Sequence, residues 1–129
     1  FPRPLPGVLD FSFSGLKTAV RTHLQRPDRA SDVDVCASFQ AAAIDCLTRR
    51  LQGASKRTGV TRVAITGGVA ANSGLRARVQ AMEFDSYIPP RNRCTDNGAM
   101  IANVGRRRLL RGWSDPLSAV ARPGWSVAR

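Results

Sequence analysis

The stretch that most restricts the fold is residues 62–82, where an apolar run passes through a glycine-rich loop into a helical pattern. The run RVAIT at 62–66 is short and rich in β-branched residues, which predicts a buried strand. Gly67 and Gly68 come directly after it, and a helical pattern begins after Asn72. Because a plain connection does not need two glycines, two alanines and an asparagine, this loop is the first candidate for a functional site.

The same order of elements then occurs a second time. FDSYI at 84–88 predicts a second strand, PPRNRCTDNG at 89–98 predicts a loop, and residues 99–112 predict a further helix. A strand, a helix and a strand in this order normally form a crossover between parallel strands. The loops 66–72 and 89–97 would then lie at one edge of the sheet, where open α/β sheets bind ligands. We therefore predict an α/β chain, rich in helices, with a small and partly parallel sheet.

The 129 residues are enough for one domain with its own core, and we predict a single domain over 1–129. The chain starts at Phe1 without an initiator Met, which suggests part of a longer protein. Residues 1–14 are predicted to be extended and 16–24 to form a short helix. Since there is no signal peptide and no apolar run of the roughly 18 residues that span a bilayer, we expect a cytoplasmic location.

A long helix is predicted over residues 35–58. Its apolar side chains recur every four residues, at Val35, Phe39, Ala43, Leu47 and Leu51. Ser31 and Asp34 have the spacing of a capping box, and Gly59 is placed to end the helix.

Lys and Arg number 20 against 9 acidic residues, which gives a net charge of +11. An excess of this size favours polyanions such as RNA. A solvated basic surface is the alternative, and it is the default for RRRLLR at 106–111, because cations are favoured near a helix C-terminus.

The sequence contains no motif for classical nucleophilic catalysis. It has no GxSxG and no HExxH pattern, and its one histidine, His23, is predicted to be a surface or partly buried side chain. Cys36 and Cys46 would lie about 15 Å apart along one helix, which is too far for a disulfide. With Cys94 they are expected to be reduced, Cys36 and Cys46 as small core residues. We therefore assign no catalytic residue.

Two loops remain as candidate binding elements, each with a purely structural alternative. Gly67 and Gly68 let a ligand approach the backbone, and a helix that starts after Asn72 offers free N–H groups to an anion. The alternative is a tight turn with Asn72 as an N-cap. In the second loop, Thr95 or Asp96 can cap a helix, and Asp96 could instead be one ligand of a cation.

Five motifs together resemble one family, TsaD, the tRNA threonylcarbamoyladenosine-synthesis transferases once described as O-sialoglycoprotein endopeptidases. They are FPRP at 1–4, DFSFSGLKT at 10–18, GGVAAN at 67–72, CTDNGAMIA at 94–102 and ARPGW at 121–125. The resemblance implies the C-terminal lobe of an actin-like ATPase fold of the ASKHA type. It also implies transfer of a threonylcarbamoyl group from threonylcarbamoyl-adenylate to the adenosine next to the tRNA anticodon.

The resemblance also implies the roles of individual residues. Asn72, Gly67 and Gly68 would bind the threonylcarbamoyl-adenylate or an ATP-like nucleotide. Asp96 would bind one divalent metal, iron or zinc. The expected partners are tRNA, a TsaB-like paralogue, a TsaE-like ATPase and a TsaC-like synthase, with no membrane.

This chain departs from the family pattern because it lacks the HxxxH histidines that complete the metal site. We therefore expect the C-terminal portion of the transferase, inactive in isolation. The alternative is a non-catalytic basic module from a truncated gene that binds RNA or a partner protein. A metallopeptidase is disfavoured by the absence of HExxH.

The charge yields the first testable prediction. In filter-binding titrations with a tRNA, the affinity of the chain should fall at least tenfold between roughly 50 and 200 mM salt, because bound arginines release counterions. An affinity that does not change with salt would contradict direct contact with the RNA backbone.

Overall fold

The computed structural model describes residues 1–3, 9–120 and 124, which divide into two compact units, residues 1–95 and residues 96–129. The single domain predicted over 1–129 stays a prediction. Pro4 of the FPRP motif lies outside the described residues, as does all of ARPGW except Gly124. No helix in the described segments is long and apolar enough to cross a membrane.

The sheet of the first unit is a parallel pair with a helical crossover. β1 (Arg62–Ala64) and β2 (Asp85–Tyr87) pair in parallel, and α3 (Ser73–Gln80) lies between them in sequence. This confirms the predicted α/β crossover. The prediction that the first strand is buried was wrong, because Arg62 and Ala64 are exposed and Val63 is only half-buried. Within the described residues the sheet has only these two strands, so each is an edge strand without a second strand neighbour.

Two helices precede the sheet. α1 (Ser14–Leu24) begins two residues earlier than predicted, and the described part of 1–14 contains no strand. α2 (Asp32–Thr58) begins at the predicted cap, where the Ser31 hydroxyl accepts a hydrogen bond from the Asp34 backbone N–H at 3.2 Å. α2 ends at Gly59, whose φ of 73° is the left-handed conformation that glycine adopts most easily.

The buried face of α2 differs from the predicted apolar stripe. Its buried residues are Val35, Ala42, Cys46, Thr48 and Arg50, whereas Phe39 is exposed and Leu47 and Leu51 are half-buried. Four residues turn an α-helix about 40° past a full turn, so five such positions drift over roughly 160° of its circumference. A strict four-residue repeat therefore cannot stay on one buried face along a helix of 27 residues.

The core of the first unit lies where α2 and α3 pack together. Its buried apolar residues are Leu16, Val35, Ala42, Cys46, Ala70, Leu75, Val79 and Cys94. All three cysteines are free, as predicted, but Cys36 is exposed, so its assignment to the core was wrong. His23 is partly buried, as expected, and its ring meets that of Phe1 edge-on, with 5.8 Å between centroids.

The second unit contains α4 (Gly98–Leu109), whose residues are all described and none of them buried. Its N-cap is Asn97, which accepts a hydrogen bond from the Met100 N–H, so the prediction of Thr95 or Asp96 was wrong. Arg108 pairs with Asp115 at 2.9 Å, and the Arg111 guanidinium lies 5.8 Å from the Trp113 ring centroid. Arg111, the last arginine of the RRRLLR run, thus has an aromatic neighbour.

Candidate functional site

The first loop leaves β1 through an exposed pair of glycines. Gly67 has φ 84° and ψ 175°, a conformation that is essentially restricted to glycine. A 3-10 turn, Gly68–Ala71, follows, and within this turn Ala70 is fully buried. Gly68 has an ordinary φ, and a Cβ at this position would lie 3.9 Å from the Thr95 Cγ2 atom. The backbone conformation therefore requires glycine at position 67. At position 68 glycine is not required by the conformation, and its effect is that no side chain covers the backbone there.

Asn72 uses both ends of its side-chain amide within the protein. Its Oδ1 atom accepts a hydrogen bond from the Leu75 backbone N–H at 2.9 Å and caps α3. Its Nδ2 atom donates to Oε1 of Gln40 on α2, also at 2.9 Å. The capping role predicted as the structural alternative is thus present. It does not by itself exclude contact with a ligand, because a primary amide has two N–H donors and two acceptor lone pairs.

Arg76 joins the two loops. Its Nη1 atom donates to the Ala70 carbonyl in the first loop at 3.0 Å and to the Pro89 carbonyl in the second loop at 2.8 Å. Beside it, the buried Cys94 thiol donates to the Pro90 carbonyl at 3.4 Å. The two loops, the second as far as Thr95, therefore meet at the carboxyl ends of the parallel strands, as the sequence predicted.

Asp96 is the first residue of the second unit, and it is exposed. Among the described residues, no group of three His, Cys, Asp or Glu side chains could hold a metal ion. The structure therefore brings Gly67, Gly68 and Asn72 together in one loop, and within the described part of the chain Asp96 belongs to no group of three such side chains.

An apolar groove of about 510 Å³ adjoins Asn72 on the α2 side. Phe13, Cys36, Phe39, Ile44 and Val69 contribute to its lining, together with the polar pair Gln40 and Asn72. One polar pair at the edge of an apolar groove can orient a ligand whose flat or aliphatic part lies against the groove.

Gln40 and Arg76 are residues of this region that the sequence analysis missed. Arg76 follows Asn72 by four residues, a spacing that places both on one side of α3. Gln40 is polar within the largely apolar segment ASFQAAAI, which is the available signal. Neither the spacing nor the polarity predicts which carbonyl or amide each residue contacts.

Comparisons with known proteins give one consistent family. The model of the family described as TsaD, tRNA N6-adenosine threonylcarbamoyltransferase, matches residues 1–103. A tRNA N6-adenosine threonylcarbamoyltransferase of Trichlorobacter lovleyi is 44% identical, over 98% of this chain and 40% of its own length. Proteins of the same name from Sorangium cellulosum and Pelobacter propionicus are 44% and 43% identical, over 84% and 99% of this chain and 33% and 41% of their own.

The contacts of Arg76 predict its contribution to stability. Arg76→Met should lower the free energy of unfolding by about 2 kcal/mol, because two partly buried carbonyls lose a charged donor. The matched control is Arg78→Met on the same helix, where the side chain is exposed, and it should change stability by less than about 0.5 kcal/mol. Urea unfolding followed by circular dichroism measures both, and equal effects would contradict the role given to Arg76.

The two glycines should respond differently to alanine. Gly67→Ala should destabilise the chain by about 1–3 kcal/mol because it forces a side chain into a glycine-only conformation. Gly68→Ala should change stability by less than about 1 kcal/mol, since its new methyl group makes an ordinary contact. Thermal unfolding of the two variants tests this difference, and a Gly68 variant less stable than the Gly67 variant would refute it.

Proposed function

Because this chain belongs to the TsaD family of tRNA N6-adenosine threonylcarbamoyltransferases, we propose that it forms the C-terminal part of such an enzyme. The chain spans about 40% of the length of the Trichlorobacter lovleyi relative. The complete protein would transfer a threonylcarbamoyl group from threonylcarbamoyl-adenylate to the adenosine next to the anticodon of a tRNA. The segment would belong to the C-terminal lobe of an actin-like ATPase fold, with its parallel strand pair as part of the sheet of that lobe.

The observation that carries the proposal is the loop after β1. An exposed pair of glycines leads into a helix whose first turn is capped by Asn72. Hydrogen bonds from Arg76 connect this loop to the loop after β2. Such a loop leaves main-chain atoms open to a close ligand and offers the N-terminus of α3 to an anionic group. An adenylate has both a flat ring and a phosphate. We therefore assign its binding to Gly67, Gly68 and Asn72.

In the reaction, the adenosine N6 amine attacks the carbamoyl carbonyl carbon of the adenylate. A C–N bond forms, the C–O bond to the phosphate breaks, AMP leaves and the amine loses a proton. The described residues contribute binding and orientation to this step: the glycine loop receives the nucleotide, and the Asn72 amide fixes its angle.

Asp96 alone does not make a metal site, and the described residues do not fit one. We propose that in the complete protein its carboxylate is one of several ligands of a divalent metal, iron or zinc. The remaining ligands would come from parts of the protein outside these 129 residues. Carboxylate oxygen suits either of these metals when histidine nitrogen completes the set.

The same proposal extends to the partners. The tRNA would be attracted by the basic chain, with Arg106 and Arg107 in the last turn of α4 as candidate phosphate contacts. We propose that the complete protein works in the cytoplasm with a TsaB-like paralogue, a TsaE-like ATPase and a TsaC-like synthase. The second candidate function, a basic RNA-binding module without catalysis, rests on the net charge of +11.

The test of the site uses variants that keep the fold. Asn72→Ser retains an oxygen that can cap α3 but removes the amide, and Asp96→Asn removes one carboxylate charge. In a full-length protein that contains this segment, each should lower the rate of tRNA modification at least tenfold (a loss of about 1.4 kcal/mol). Asp115→Asn, which also removes an exposed carboxylate from the second unit, should leave the rate unchanged.

Metal content, measured by mass spectrometry, should fall for Asp96→Asn and stay constant for the other two variants. Wild-type rates in both site variants would overturn the assignments. A full-length protein that binds tRNA but modifies none would favour the non-catalytic module.

A further inference from the structure

We infer that Gln40 of α2 is a positioning residue that fixes the orientation of the Asn72 amide at the nucleotide site. This inference rests on the proposed function, because it gives Gln40 its role through the contact of Asn72 with the adenylate. It adds a residue from a different helix, 32 positions earlier in the sequence, to the candidate site.

The hydrogen bonds of Asn72 define what Gln40 does. The cap holds Oδ1 toward the Leu75 N–H at 2.9 Å, which fixes one end of the amide. Gln40 Oε1 accepts from Nδ2 at 2.9 Å, which fixes the other end. A rotation of the Asn72 side chain would now break two bonds rather than one. The amide is thereby held in one orientation before a ligand arrives, which reduces the entropy that binding would otherwise cost.

The two internal bonds also limit how Asn72 can meet a ligand. Of its two N–H groups, one is used by Gln40, and of its two acceptor lone pairs, one is used by the cap. One donor and one acceptor remain. A nucleotide can satisfy both, through a ring nitrogen or phosphate oxygen that accepts and a ribose hydroxyl that donates.

Gly74 leaves room where α2 meets the first turn of α3, beside the Gln40–Asn72 pair. A Cβ atom at Gly74 would lie 3.3 Å from Asn72 Oδ1 and 3.7 Å from Gln40 Nε2, and 2.8 Å from the Ile44 Cδ1 atom. Glycine is a poor helix former, so its presence in the first turn of α3 calls for a local reason. The approach of α2 to the first turn of α3, with the Gln40–Asn72 pair at the contact, is such a reason.

Gln40 is exposed, so substitutions there should leave the fold intact. Gln40→Leu removes the acceptor, whereas Gln40→Glu keeps an acceptor oxygen in the same place and cannot donate. Gln52→Leu is the matched control, because Gln52 is an exposed glutamine on the same helix, away from the groove beside Asn72. Asn72→Ser serves as the reference for loss of the amide itself.

Two measurements on a full-length protein that contains this segment test the role, after circular dichroism has shown that each variant is folded. The first is the ¹H–¹⁵N NMR resonances of the Asn72 side-chain amide. Gln40→Leu should shift these resonances and speed their exchange with solvent, and Gln40→Glu should keep the exchange slow. The second is calorimetric titration with a non-hydrolysable threonylcarbamoyl-adenylate analogue. Gln40→Leu should weaken its binding about fivefold, Gln40→Glu should largely restore the affinity, and Gln52→Leu should have no effect.

The outcomes separate this inference from the function on which it rests. If Asn72→Ser weakens binding while Gln40→Leu leaves affinity and resonances unchanged, the proposed site stands and the role of Gln40 is overturned. If Gln40→Glu binds as weakly as Gln40→Leu, an acceptor at this position is not what matters, and the inference also fails. If Asn72→Ser binds as the wild type does, or the folded wild type does not bind the analogue, the site assignment itself fails and takes the inference with it.

Discussion

The candidate site depends on one guanidinium group. Arg76 donates from a single nitrogen to the carbonyls of Ala70 and Pro89, and these belong to the loops that follow β1 and β2. Three-residue strands fix little beyond their own register, so the strand pair alone would leave the loops free to separate. A charged donor shared between two partly buried carbonyls is among the stronger hydrogen bonds available to a protein. Arg76, on the helix α3 between the two strands, therefore fixes the position of one loop relative to the other.

Asn72 caps α3 and still keeps one hydrogen-bond donor and one acceptor for a ligand. The sequence left open whether it caps a helix or contacts a ligand, and the structure makes these two roles compatible. The cap uses one lone pair and Gln40 uses one N–H, so the amide is oriented and still has one free donor and one free acceptor. Mutation of a capping residue can reduce activity merely because the helix loses its cap. Substitutions that preserve the capping oxygen are needed to separate the two roles.

The sequence predicted the elements well because their signals are local. The Ser31 cap, the Gly59 terminus of α2, the Asn72 cap and the parallel crossover all depend on residues close together in the chain. The errors concern contacts between distant residues. The burial of the first strand, the core position of Cys36 and the apolar stripe of α2 each depended on which neighbours cover them. Asn97 displaced Asp96 as a cap because both residue types suit that position, and sequence alone does not rank them.

The same distinction applies to the site. The glycines and Asn72 could be proposed as candidates because strand, loop and helix follow one another in the chain, whereas Gln40 reaches Asn72 only through the packing of α2 on α3. That packing buries Ala42, Leu75 and Val79, while both ends of β1 are exposed. The helices, rather than the sheet, therefore carry most of the apolar burial around the loop. It follows that the orientation of the Asn72 amide is coupled to the α2–α3 contact, and a change within that contact can alter the candidate site without touching any residue of the loop.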